Sequence, residues 1–407
     1  MLNLFCHRRI NLCVVLFLFP LVLSARTVST VGQLKSAPAN STCEIKNVIN
    51  LKGEAVSLQP NITIVFRGGS ISGGTLIGND TRIGMGDNYF KDVVIKGTWQ
   101  APMISTSMFT DLSKVNALRN VIALTNPRIY NTVIIEEGTY WVDIEDGPGL
   151  VLSDNVTLHI GGTIKLKANS KTGYSIVSVK GRNITICGDG EIVGDRDIHL
   201  GDKGEWGMGI ILSKADNVII SGLNISNCWG DGIYVYGKSE RVQIYNCTFS
   251  YCRRQGISIT DAKDVIIKDC SFSNIGGTSP GLAIDVEPNA DKSVKQVFIS
   301  GIQVKDCEAG VSVSNRAKGS SIGEVTIKRS SFGGTKKDYA IYVSGAQKAI
   351  VDSCYIDSGK STALRLSIVD SVYYRGNSII SSSPTPINRY KCRKVFAENN
   401  EFIKSRR

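Results

Sequence analysis

Histidine is scarce in this chain: three residues in 407, His7, His159 and His199. A His-rich zinc site or a Ser-His-Asp triad therefore has little to draw on. None of the 11 cysteines forms a Cys-x-x-Cys pair, so the usual thiolate metal spacing is missing as well. Helix-periodic stretches are nearly absent. Beyond residue 25 no apolar run approaches the roughly 20 residues that a membrane-spanning helix needs.

What the chain has in quantity is glycine, 41 residues, together with Asn, Asp and Ser that suit tight corners. Short alternating apolar strands lie between the corners. Gly209-Ile210-Ile211-Leu212, Gly232-Ile233-Tyr234-Val235, Gly256-Ile257-Ser258-Ile259 and Ala283-Ile284-Asp285-Val286 begin 23, 24 and 27 residues apart. The series continues at Gly310, Ala340, Ala363 and Pro386, at spacings of 27, 30, 23 and 23. A second strand runs in phase, as at Val218–Ile220, Val242–Ile244 and Val265–Ile267, and a third follows at Asn224-Ile225, Thr248-Phe249 and Ser271-Phe272. Three short strands per turn of this length predict an all-β parallel β-helix.

The expected organisation has three parts. Residues 1–25 read as a secretory leader: His7, Arg8 and Arg9, an apolar run from Leu12 to Leu23, then Ser24-Ala25. That places the protein outside the cytoplasm, secreted or periplasmic. Residues 26–130 read as a β-rich capping or accessory segment, with 26–45 a loose lead-in and a helix from Leu112 to Leu124 capped by Asp111. Residues 131–407 read as the solenoid. A polar loop from Gly201 to Gly207 interrupts it, and insertions at Gly276–Leu282 and Lys318–Gly323 are expected to frame a binding face.

The nine cysteines outside the leader fall at repeat-equivalent positions, Cys247, Cys270 and Cys354 in one set, Cys228, Cys252 and Cys307 in another. Stacked inward positions favour buried thiol ladders over disulfides. The seven Asn-x-Ser/Thr sequons read as corner asparagines rather than glycosylation sites. The formal charge is +11, and +9 without Arg8 and Arg9 (45 basic against 36 acidic), which suits an acidic polymer partner.

Side chains alternate across a strand, so the apolar pairs Ile233/Val235, Ile257/Ile259 and Ile284/Val286 must face inward. The outward set is then Tyr234/Tyr236, Ser258/Thr260 and Asp285/Glu287, followed by Ser312/Ser314, Tyr342/Ser344 and Arg365/Ser367. Asp285 and Glu287 share a face about 6.5–7 Å apart along the strand, on turns roughly 4.8 Å from their neighbours. Trp229, Asp231, Arg253 and Arg254 sit at the corner edge of that face. Paired carboxylates can serve as general acid and base, and aromatic rings stack on sugars. Asp285 and Glu287 are thus the candidate catalytic pair, with Asp231 as alternate. Arg253, Arg254, Trp229, Tyr234, Tyr236, Glu205 and Trp206 are candidate substrate contacts.

Gly204–Ile210, Cys228–Ile233, Arg253–Ser258 and Ala283–Asn289 resemble right-handed parallel β-helix proteins of the pectin-lyase-like superfamily, especially its secreted bacterial group and phage-tail relatives. Phe66–Ile71 and Lys96–Trp99 resemble the N-terminal part of the same bacterial proteins. The resemblance implies a polysaccharide partner, with no nucleic acid and no membrane insertion after leader cleavage. It leaves the reaction open. Polygalacturonase-type hydrolases carry Asn-x-Asp, Asp-Asp, Gly-His-Gly and Arg-x-Lys, and that set is not found here. Glycoside hydrolysis without a cofactor is the leading expectation. A lyase would add Ca²⁺ held by the acids and an arginine base, and a non-catalytic glycan binder is the third reading.

Overall fold

The computed structural model describes residues 25–404 apart from Met85, Asp111–Ser113 and Lys337–Asp338. The expected leader, its Cys6 and Cys13, and the expected cap Asp111 lie outside the described residues. The described residues divide into two compact units, those of 25–140 with 155–162 and those of 141–154 with 163–404.

In the first unit, Arg26–Val28, Thr42–Ile45, Thr63–Phe66, Ser70–Ile83 and Phe90–Gln100 pair in parallel in that order. The lead-in is therefore ordered, contrary to the sequence expectation. Thr30 caps a short helix, Val31–Lys35, by accepting from the Gln33 amide, and Val28, Leu34, Cys43 and Ile45 are buried beneath. The expected helix spans Lys114–Ala123. Its buried Asn120 accepts from the Ile95 amide at 3.0 Å and donates to the Val93 carbonyl at 2.7 Å, fastening the helix to the strand Phe90–Gln100. Asn40, Asn61 and Asn155 of the sequons have positive φ in this unit, as do Asn183 and Asn246 in the other.

The second unit is a parallel β-helix of three stacked sheets. One sheet holds Asp216–Ser221, Ser239–Tyr245, Ala262–Lys268 and their successors to Lys394–Glu398. A second holds the short strands Asn224–Ser226, Thr248–Ser250, Ser271–Ser273 and onward to Glu401–Lys404. The third holds Gly173–Val179, Trp206–Ser213, Ile233–Tyr236, Gln255–Ile259, Leu282–Val286, Ala309–Ser314, Tyr339–Ser344, Thr362–Ser367 and Ile387–Tyr390. Trp206 and Gly207 thus belong to a strand, not to the loop read from the sequence.

One corner repeats a left-handed residue at successive turns: Gly222, Asn246, Asp269, Gly301, Arg329, Ser353 and Gly376 all have positive φ. Glycine takes that conformation freely and Asn or Asp at some cost, which accounts for five of these seven residues, while Arg329 and Ser353 adopt it against that preference. The small residue that opens each turn has a different cause. A Cβ on Gly232 would lie 2.7 Å from Phe249 Cδ1, on Gly256 2.5 Å from Phe272 Cδ1, and on Gly310 2.8 Å from Phe332 Cδ1. Where the next strand of the second sheet carries Val304, Ile356 or Ile379 instead, the opening residue is Ala283, Ala340 or Ala363. The core trades a side chain on one sheet against a ring from another.

Phe249 and Phe272 stack at 4.9 Å, and the buried column Ile210, Ile233, Ile257, Ile284, Val311, Ile341 runs beside them. The thiol ladders are found. Cys247, Cys270 and Cys354 are buried and each donates to the carbonyl two residues earlier, and none of the nine described cysteines is in a disulfide.

Candidate functional site

The strand register places the outward residues as the alternation argument requires. Tyr234 pairs with Ser258, Ser258 with Asp285, Asp285 with Ser312, Ser312 with Tyr342 and Tyr342 with Arg365. Beside this ladder opens a cleft of about 360 Å³, with Asp285 and Glu287 among its lining residues. Trp206, Tyr234, Arg254, Thr260 and Arg316 complete its polar and aromatic wall, and Pro288–Ala290 and Ala317 close its edge.

Asp285 is not the solvent-facing carboxylate that the sequence suggests. Only 4% of it is exposed. Gln255, fully buried one turn earlier, donates Nε2–H to Asp285 Oδ2 at 3.2 Å. Burial, helped by the neighbouring Glu287 and Asp231 charges, pushes the Asp285 carboxyl from 3.8 up to about 8. At neutral pH it is therefore a neutral acid. Pro288 follows Glu287 directly and keeps that carboxylate at the cleft edge.

Asp231 is fully buried and does not line the cleft. Its Oδ1 accepts from the Gln255 amide at 3.2 Å and faces Arg254 Nε at 3.6 Å, while Oδ2 has no hydrogen-bond partner among the described residues. Burial raises its carboxyl to about 6 against the opposing pull of Arg254. Arg254 thus lies between the cleft and a buried acid.

Two expected substrate contacts are corrected by the geometry. Trp229 is 9% exposed and sandwiched: His199 stacks on it at 4.0 Å, and the Arg253 guanidinium lies 3.6 Å from its ring centre. No ring face is left for a sugar. Arg253 Nη1 donates to the Gly204 carbonyl at 2.9 Å and to the Trp229 carbonyl at 3.4 Å, and Arg253 does not line the cleft. Tyr234 lines the cleft and accepts a hydrogen bond from Thr260 at 3.1 Å, whereas Tyr236 packs beside it at 5.3 Å and lies outside the lining. Glu205 is likewise outside, while Trp206, 55% exposed, is on the wall. No residue of the insertion Gly276–Leu282 lines the cleft, and the Gly277 amide donates to Glu308 at 3.1 Å. None of the insertion Lys318–Gly323 lines it either; Arg316 and Ala317, just before that insertion, do.

Sequence reasoning passed over Gln255, Arg316 and His199. His199 Nδ1 meets Asp195 Oδ2 at 2.7 Å, and Asp195 also accepts from Asn169 at 2.7 Å and from the Tyr174 hydroxyl. A contact between residues in different turns leaves no periodic mark. A spacing signal did exist for Arg316: Arg316-Ala317-Lys318 and Asn289-Ala290-Asp291 carry Arg-x-Lys and Asn-x-Asp at the cleft edge. Arg389-Tyr390-Lys391 repeats the first spacing in the last turn, so the tripeptide alone decides nothing.

Residues 169–322 match the family model described as right handed beta helix region. The three stacked parallel sheets make this a parallel β-helix, and the matched region is of the right-handed kind. Uncharacterized protein YclG of Bacillus subtilis (strain 168) is 31% identical over 247 residues, 53% of this chain and 39% of that protein. The SPbeta prophage-derived uncharacterized protein YorA of the same bacterium is 27% identical over 207 residues, 45% of this chain and 35% of its own length. The chain therefore spans well under half the length of these relatives. Among solved structures, an exopolygalacturonase from Thermotoga maritima aligns at TM-score 0.46 and 13% identity, over 68% of this β-helix chain and 81% of that one. Among the described residues no helix is long and apolar enough to cross a membrane.

Proposed function

We propose that this β-helix protein acts on a polysaccharide and cleaves it by glycoside hydrolysis at the Asp285–Glu287 cleft. The observation that carries the reading is the neutral Asp285 acid, held at about 8, two residues from Glu287 in one cleft. Asp285 would protonate the leaving glycosidic oxygen, and Glu287 would take the proton from the attacking water. The two carboxylates differ in environment, which is how one pair divides into acid and base. Trp206 and Tyr234 supply flat faces for sugar rings.

We further propose an acidic glycan. Arg253 and Arg254 do not support it as the sequence suggested, since each is already engaged. Arg316 and Arg365 do: both guanidinium groups lie 5.8 Å from the Tyr342 ring, and neither has a carboxylate partner among the described residues. Export by the N-terminal leader remains part of the proposal, tested by sequencing the N-terminus of protein recovered outside the cytoplasm.

Ca²⁺-dependent elimination fits the residues less well. Asp285 already accepts an amide N–H, and Asp231 already faces a guanidinium, so a cation would compete with resident donors. A glycan panel read for both new reducing ends and unsaturated products decides. Reducing ends without unsaturation support hydrolysis, unsaturated ends support a lyase, and binding without either supports a non-catalytic role.

A further inference from the structure

Trp229, buried, and Arg253, half-buried, do not line the cleft, yet they form a continuous stack with His199. His199 covers one side of the Trp229 indole at 4.0 Å with the rings 17° apart, and the Arg253 guanidinium lies 3.6 Å from the centre of the same indole. The side chains of His199 and Asp195 are fully buried, and their 2.7 Å contact fixes the imidazole. From the far end of the stack, Arg253 Nη1 donates to the Gly204 carbonyl at 2.9 Å. Gly204 is two residues before Trp206, the exposed indole on the cleft wall. The Trp206 end of the segment is held in the strand ladder, where Trp206 pairs with Gly173 and Gly207 with Tyr174, so Arg253 ties the end that precedes the strand. The Gly230 amide donates to the Gly207 carbonyl at 2.8 Å, and the Trp206 amide reaches the Thr172 carbonyl only at 3.4 Å.

We infer that the His199–Trp229–Arg253 stack is a clamp that positions the Gly204–Trp206 segment and with it Trp206 on the cleft wall, so that Arg253 acts on a bound glycan through Trp206 and never touches it. This rests on the proposed glycan site for its consequence, but the clamp itself stands on the contacts above. A guanidinium on an indole is favourable because the ring face is electron-rich, and the planar fork can stack and donate at once. A lysine at the position would keep the charge and lose the stacked plane.

Two measurements on the full chain test it. The first needs no glycan. The exposed Lys203 precedes Gly204, whose carbonyl Arg253 holds, so trypsin cleavage of the Lys203–Gly204 bond reports release of the wall. Arg253→Ala should speed that cut at least about tenfold, with no new cuts in the strands Gln255–Ile259 and Leu282–Val286, and Arg253→Lys should fall between. An unchanged rate at Lys203 overturns the clamp, and so does cleavage spread throughout the solenoid. The second uses any panel glycan bound by the wild type. Arg253→Ala and Trp206→Ala should each raise KM or Kd, and the double variant should be no weaker than Trp206→Ala alone, within about twofold. Losses that multiply would show that Arg253 contacts the ligand independently and would overturn the inference. Should no glycan bind, the proposed function fails, while the trypsin result still decides the clamp.

Discussion

Gln255 joins two buried acids: its side-chain amide donates to Asp285 at 3.2 Å, and its backbone amide donates to Asp231 at 3.2 Å. The three residues come from three successive turns, so the solenoid pitch sets their spacing. This bridge makes the Asp285 environment testable without a substrate.

Asp285 titrates at about 8 in the fold against 3.8 ordinarily. The folded state prefers the neutral acid. Its contribution to stability is full below about 3.8, declines as pH rises and is lost through about 8. Asp285→Asn should remove that decline. Urea unfolding at pH 5 and pH 9 should show the wild type losing on the order of a few kcal/mol across this range through Asp285, at about 1.4 kcal/mol per pKa unit. A variant with the wild-type pH slope would refute the assignment.

On a cleaved glycan, Asp285→Asn and Glu287→Gln should each lower kcat by about 10²–10⁴, the usual worth of a general acid or base. The wild-type rate should fall as pH rises through about 8, when the acid is lost. Rates that rise through that range would assign the proton donor elsewhere.

Arg254→Ala should leave Asp231 buried without its counter-charge. Breaking a buried pair costs about 3–5 kcal/mol, and protonation of the stranded acid relieves it. The loss in melting temperature should therefore be larger at pH 8 than at pH 5. Equal losses at both pH values would show that Arg254 contributes packing alone.

Gly256→Ala would place a methyl 2.5 Å from Phe272 Cδ1 and 2.6 Å from the Ala283 carbonyl oxygen. Overpacking of this kind costs about 1–3 kcal/mol. Adding Phe272→Val, the pairing that Ala283 and Val304 show naturally, should recover part of it. A double variant no more stable than Gly256→Ala would mean that the carbonyl contact dominates.

Binding of an acidic glycan should weaken with salt, because exposed charges are screened over about 8–10 Å at physiological ionic strength. Arg316→Ala with Arg365→Ala should flatten that dependence. A salt slope unchanged in the double variant would remove these arginines from the site.

The all-β fold, the turn length, the inward and outward faces and the thiol ladders were legible in the sequence, because period-two alternation and repeat spacing are local properties that burial enforces turn after turn. Asp285 and Glu287 were found on that basis, and Ile284 and Val286 fix their direction by packing inward. The lead-in at 26–45 was misread because its order comes from parallel pairing with Thr42–Ile45 and Thr63–Phe66, a contact across the chain. What only tertiary structure decided was the environment of each side chain. Whether Trp229 offers a face or lends it to His199 and Arg253, and whether Asp285 is an exposed carboxylate or a buried acid, depends on residues one to several turns away. Sequence periodicity states which way a side chain points; burial and charge, which set its chemistry, come from what the neighbouring turns place over it.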